Sequence, residues 1–216
     1  MVAVIFLEAG LLSLALLALP FVALRKTGSR PGAAEMLYFL SLGIGFMFVE
    51  LYFIKQLVLL YGDPVVSFTV VLGGMLVFSG VGGFFSQRLT DRALVVSLVL
   101  LIALLALAGP ATAWLTQAVL PFPVPMHFAI GLAWLAVPGV LTGLPFPLAM
   151  RHLLKTPSAR AYAWTANGCA SVLASIAAAQ LALSQGIAAI VIGASAAYGV
   201  ALICALKMRS SAADGH

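Results

Sequence analysis

Seven mostly apolar stretches, each about as long as a membrane is thick, dominate this sequence: approximately 2–24, 36–60, 65–86, 93–109, 126–148, 161–184 and 187–206. The hydrocarbon core of a bilayer is about 30 Å thick, so a helix rising about 1.5 Å per residue needs about 20 residues to cross it. Hydrocarbon offers backbone amides no partner, which leaves the helix as the natural form for such stretches. Composition points the same way, with 63% of residues hydrophobic and 8% charged, where a soluble domain is about 45–50% apolar and roughly 25% charged. Eleven Lys and Arg with six Asp and Glu cannot cover that apolar surface in water. A soluble enzyme, a nucleic-acid binder and a disordered chain are thereby excluded. The expected fold is an all-α polytopic membrane protein of about seven transmembrane helices, one domain over 1–209 with a polar tail over 210–216.

Basic residues orient the spans. Arg25, Lys26 and Arg30 follow the first; Arg88 and Arg92 the third; Arg151, Lys155 and Arg160 the fifth; Lys207 and Arg209 the seventh. The intervening connections, around Tyr61–Pro64, Pro110–Pro125 and Gln185–Gly186, have none. The positive-inside rule predicts an outside N-terminus and a cytoplasmic C-terminus, and explains the net charge of +5 without nucleic acid. The first stretch does not read as a signal peptide, because Glu8 interrupts its start and no basic segment precedes it. The fourth span is free to continue past Pro110 towards Leu120, while Pro121, Pro123 and Pro125 forbid regular helix beyond it.

Familiar catalytic constellations do not occur. The sequence has no Walker A motif, and Gly43 and Gly45 open a GxGxxG pattern that no third glycine completes. His127, His152 and His216 fall at different depths, as a metal site or a Ser/His/Asp triad would not allow. Cys169 and Cys204 lie in apolar stretches and form no disulfide framework. No cofactor is expected.

Polar residues within the spans are the informative ones. Glu50 falls near the middle of the second span, where an acidic group costs at least about 2.5–3.5 kcal/mol to insert. Its helical neighbours Gly43, Phe46, Met47, Phe53 and Ile54 surround it with an apolar face. Either it makes an interhelical hydrogen bond as a neutral carboxyl, or it handles protons or substrate. Lys55 is about 140° away around the helix, so it snorkels to the interface rather than pairing with Glu50. The sixth span is polar and small, with Trp164, Thr165, Asn167, Gly168, Ser171, Ser175 and Gln180; the third has Gly73, Gly74, Ser79, Gly80, Gly82 and Gly83. Such faces predict close helix packing, or else a surface lining a substrate path. If these spans touch the second, Ser79, Ser171 and Ser175 are the hydroxyls nearest Glu50 in depth. The fifth span ends in Gly143, Pro145 and Pro147 followed by Arg151, a broken helix beside a cation cluster. Anionic lipid headgroups at the inner face are the expected partner there.

Several of these segments together resemble a known family. Tyr38–Glu50 with Gln56 and Gly62–Pro64, Phe78–Gly83, Gly143–Pro147 with Arg151, and Ala163–Gly168 followed by Ser171 are similar to the membrane region of bacterial spermidine-synthase-like integral membrane proteins, often labelled fused MFS/spermidine synthase. The likeness runs in order along nearly the whole chain. It implies a multi-pass protein of the bacterial cytoplasmic (inner) membrane. Members couple such helices to a Rossmann-like synthase domain with a glycine-rich nucleotide loop and acidic catalytic residues. No stretch of these 216 residues corresponds to that domain, so no aminopropyl-transfer residue carries over.

Three functions are in competition at this point. One is a non-catalytic membrane module, anchor or subunit, with other membrane subunits or a soluble synthase-like chain as partners. A second is a transporter of a small solute or cation, such as a polyamine, using Glu50. A third, an enzyme acting on lipid or quinone, is disfavoured because Glu50, His127 and Asn167 are spread in depth. The orientation is directly testable. Cysteines placed near Asp63 and Gln117 should label from outside the cell, and those at Lys155 or in the tail should not; outside labelling at Lys155 would reverse the topology.

Overall fold

The structure, a computed structural model, describes residues 32–154 and 156–213, together with Glu8 and Leu11. The rest of the first predicted span, Arg25, Lys26, Arg30, Lys155 and His216 lie outside the described residues. Helices account for the described fold: α1 (Ala33–Tyr61), α2 (Pro64–Phe85), a 3-10 turn (Ser86–Arg88), α3 (Arg92–Val119), α4 (Val124–Gly143), α5 (Pro145–His152), α6 (Pro157–Gln185) and α7 (Ile187–Ala213). Six helices among the described residues are long and apolar enough to cross a membrane, α4 and α5 counting as one. The chain is an all-helical, multi-pass membrane protein.

Boundaries follow local chemistry. Asp63 accepts hydrogen bonds from the amides of Val65 and Val66, at 2.7 and 3.0 Å, and so caps α2 just before Pro64 starts it. Thr156 caps α6 in the same way through Ala159 N, at 3.2 Å. Gly62 and Gly186 adopt φ of 72° and 87° and turn the chain after α1 and α6, a conformation that other residues resist. At 29 residues, α1 is about 43 Å long, enough to cross the hydrocarbon with tilt or overhang.

The fourth span takes the longer of its expected forms, because α3 passes through Pro110 to Val119; the missing N–H is tolerable inside a helix bundle. One expectation needs correction: Pro125 does not interrupt regular helix. It is the second residue of α4, where an N–H would have no intrahelical partner anyway. At the C-terminal end α7 stays helical into the polar tail, as far as Ala213.

α1 is the axis of the bundle. Three-fifths of its apolar window is buried, against about a third or less for the other spanning helices. It packs most extensively against α7 and α6, while α2 packs chiefly against α4. Small residues allow these approaches. A Cβ on Gly43 would meet the backbone carbonyl of Asn167 on α6, and one on Gly45 would meet the Tyr198 ring on α7. On α2, a Cβ at Gly82 would strike the carbonyl of Val140, and on α4 one at Gly143 would strike the backbone at Ser79. The glycines the sequence pointed to thus divide. Gly74 and Gly82 pack, a Cβ on Gly73, Gly80 or Gly168 would meet nothing within 4 Å, and one on Gly83 would make ordinary contact with the Gly143 carbonyl at 3.8 Å. Gly73, Gly80 and Gly168 face open space, and Gly139-x-x-x-Gly143 is the spacing that brings α4 onto α2.

Substitution should split these two groups. Gly82→Ala and Gly143→Ala should each lose about 1–3 kcal/mol of stability, as overpacking does. Gly73→Ala and Gly168→Ala should be neutral or gain up to about 1 kcal/mol from helix propensity. Thermal unfolding of the detergent-purified protein measures both; equal losses at all four positions would refute the contacts.

Candidate functional site

Six helices converge on one cleft of about 940 Å³. Leu42, Phe46 and Met47 of α1 form its floor, and α2 contributes Leu76, Ser79, Gly80 and Gly83. The break between α4 and α5 supplies Thr142, Gly143, Phe146, Pro147, Met150 and Arg151, and α6 supplies Arg160, Trp164, Asn167 and Ser171. Tyr198 of α7 completes the lining. The cleft lies towards the basic end of the bundle, the end where Arg151 donates to the Gln87 carbonyl and Arg209 pairs with Asp91 at 2.8 Å.

The broken helix makes the site possible. Leu144 closes α4 with a short-range bond to Leu141 O at 3.4 Å, and α5 starts anew at Pro145. A proline at the start of a helix leaves upstream carbonyls without their usual donors. The carbonyl of Pro145 itself accepts from the Tyr38 hydroxyl of α1 at 3.0 Å, wholly inside the protein. Phe146 packs edge-on against Phe39 on one side and Trp164 on the other, with ring centroids 5.3 and 4.6 Å apart. The turn is thus held from α1 and from α6 at once.

Hydrogen bonding limits what the lining can offer. Ser79 Oγ donates to Leu76 O, Thr142 Oγ1 to Gly139 O and Ser171 Oγ to Asn167 O, all on their own helices. Ser171 also reaches Gly43 O at 3.4 Å, which ties α6 to α1. These hydroxyls keep only lone pairs for a ligand. The Asn167 side-chain amide faces the cleft with no hydrogen bond among the described residues.

Not every sequence-predicted residue reaches the cleft. Ser79, Gly80, Gly83, Gly143, Pro147, Arg151, Asn167 and Ser171 line it; Pro145, Gly73, Gly168, Ser175 and Lys55 do not line it. Lys55 is exposed, and Ser175 donates to Val172 O on its own helix. Glu50 is 4% exposed and also lies off the lining. It sits three and four residues beyond Met47 and Phe46, one turn further along the same face of α1. The interhelical hydrogen bond expected of it is not made by Oε1, which is buried with no partner among the described residues. His127 is at the start of α4, away from the lining, so it does not join Glu50 and Asn167.

Sequence reading passed over Arg160 and Thr142 as site residues, though not Trp164. Arg160, Trp164, Asn167 and Ser171 are spaced four, three and four apart, a single stripe of α6, and that period was the available signal. Also missed was the polar thread at the other end of α1, where Gln56 Nε2 donates to Tyr52 OH and Tyr52 OH to Thr112 Oγ1, each at 3.3 Å. A second hollow of about 810 Å³, between α3 and α4, is apolar apart from Trp134.

Removing the Tyr38 hydroxyl tests the frame of the site. Tyr38→Phe should lower stability by about 1 kcal/mol, the usual net value of such a bond. Greater protease access at the α4–α5 turn should accompany the loss, and an unchanged melting curve and cleavage rate would show that the bond does not hold it.

Comparison with protein-family models, curated proteins and solved structures finds no match to this chain, so what the cleft recognises has to be read from its own side chains.

Proposed function

We propose that this chain is a non-catalytic membrane module, the anchor or an integral subunit of a larger assembly of the spermidine-synthase-like kind. It resides in a bacterial cytoplasmic membrane with about seven spans, its N-terminus outside and its C-terminus in the cytoplasm. One observation supports this most strongly. The segments that carry the family resemblance on α2, the α4–α5 break and α6 build one cleft at the basic end, rather than separate packing faces. By the positive-inside rule that end meets the cytoplasm, where a soluble synthase-like chain would approach the bundle.

Purification from native membrane in mild detergent tests the reading. A subunit should bring down a partner in a fixed molar ratio, and Arg151→Gln at the cleft rim should weaken that ratio without loss of the chain itself. Recovery of the chain alone, fully folded and in the same oligomeric state at every detergent concentration, would count against a subunit role.

Glu50 favours a second reading, transport of a small solute or cation. An acidic side chain within a span, with a buried oxygen lacking a partner, is the kind of group that couples proton or cation movement. Glu50→Gln keeps the shape and removes the titratable proton. If the chain transports, the variant should fold normally and lose uptake of a polyamine or other cation in proteoliposomes; equal uptake, or none in the parent, removes this reading.

A further inference from the structure

We propose that the cleft is a binding site for an anionic phospholipid, with the phosphodiester at Arg151 and Arg160 and an acyl chain along Phe46, Met47 and Leu76. The inference concerns the ligand of the cleft and stands whether or not the chain is a subunit of an assembly.

Charge is the first ground. Arg151 closes α5 and Arg160 opens α6, so two different elements bring guanidinium groups to one rim. No acidic side chain lines the cleft. The ion pair found among the described residues, Arg209 with Asp91, uses other groups. Arg151 donates one N–H to the Gln87 carbonyl, and Arg160 one to the Leu154 carbonyl at 3.4 Å. Each guanidinium has five donors, so most remain for an anion, and their planar fork suits a phosphate.

Shape and polarity are the second. α2 and α6 scarcely touch each other, so the space between them opens sideways, with α1 as its floor. Leu76 and Trp164 on its two lips are 60% and 63% exposed. In a spanning bundle a lateral opening faces acyl chains rather than water. Behind the arginines the walls are mainly apolar, and the serine and threonine hydroxyl protons are already used by their own helices. Asn167 is the one lining amide left to meet an ester or glycerol group. A free phosphate would satisfy the arginines and leave the apolar depth uncovered; a phospholipid satisfies both.

The test uses the purified full chain, delipidated and then exposed to an equimolar mixture of phosphatidylglycerol and phosphatidylcholine with identical acyl chains. Native mass spectrometry counts the retained lipids. Each arginine near an anionic lipid should contribute about a fivefold preference. The parent should therefore retain phosphatidylglycerol well above phosphatidylcholine. Arg160→Gln, which leaves the Arg151 bond to Gln87 intact, should lose about fivefold, and the double variant Arg151→Gln/Arg160→Gln should retain the two lipids alike. Arg88→Gln/Arg92→Gln, off the cleft, should keep the parent's preference. Equal retention by the parent, or an equal loss in the Arg88 and Arg92 control, overturns the site in favour of diffuse surface charge. Displacement of the lipid by inorganic phosphate overturns the lipid in favour of a soluble anion.

Discussion

The break between α4 and α5 is the feature on which the rest of the described structure depends. A continuous helix from Val124 to His152 would send Phe146, Met150 and Arg151 along the line of α4. Instead the chain turns at Leu144, and Gly143 is left lying on the α2 backbone at Ser79, an approach that only a residue without a side chain allows. That contact fixes α2 against α4 and leaves α2 parted from α6. The cleft is the space that results. The Tyr38 hydroxyl, from within the central helix, donates to the Pro145 carbonyl in the first turn of α5 and so ties the break to α1. Packing and the site are therefore both tied to one turn.

Glu50 presents the opposite case, a cost without a visible return. A buried carboxyl oxygen with no donor gives up its hydrogen bonds to water and receives none from the described protein. Other buried polar atoms share that condition: Tyr61 OH, His127 Nε2, Trp134 Nε1 and His152 Nε2. At the far end of α1 and α4, Tyr61 stacks on Phe128, the chain neighbour of His127, with centroids 5.0 Å apart. Glu50 differs from them in being acidic, and it lies one turn beyond Phe46 and Met47 on the face of α1 that continues from the cleft lining.

The all-helical, membrane-spanning character was legible because it follows from a bulk property, apolar length, which survives any error about individual contacts. Helix ends fell close to the expected bounds at the Tyr61–Pro64 connection, where Gly62 and Asp63 act locally, and less so at Pro125, where a missing N–H is harmless in context. Which glycines pack could not be read in the same way. Gly80 and Gly82 are two residues apart on one helix, and only the direction of α4 decides that Gly82 is buried and Gly80 faces open space. The site was half legible. Ser79, Asn167, Ser171 and Arg151 stood out as polar groups in apolar surroundings, but nothing in the spacing of separate helices says which of them share a cavity. Arg160 was read as a topology signal and therefore passed over as a ligand group.

That double use of arginine is the physical core of the lipid proposal. The positive-inside rule counts Lys and Arg without regard to where their side chains end, since its origin is the cost of moving charge across the membrane. A binding site is different, because it requires several donors to converge and to remain unpaired by acids. Arg209 satisfies the first rule and not the second, since Asp91 holds it. Arg151 and Arg160 satisfy both, and they do so beside an apolar cavity that opens sideways between α2 and α6. On the lipid proposal, charges that the positive-inside rule counts are left, once the bundle has formed, where they would hold a headgroup. The break at Leu144 is what converts the one role into the other, because it carries Arg151 round to the rim that Arg160 already occupies.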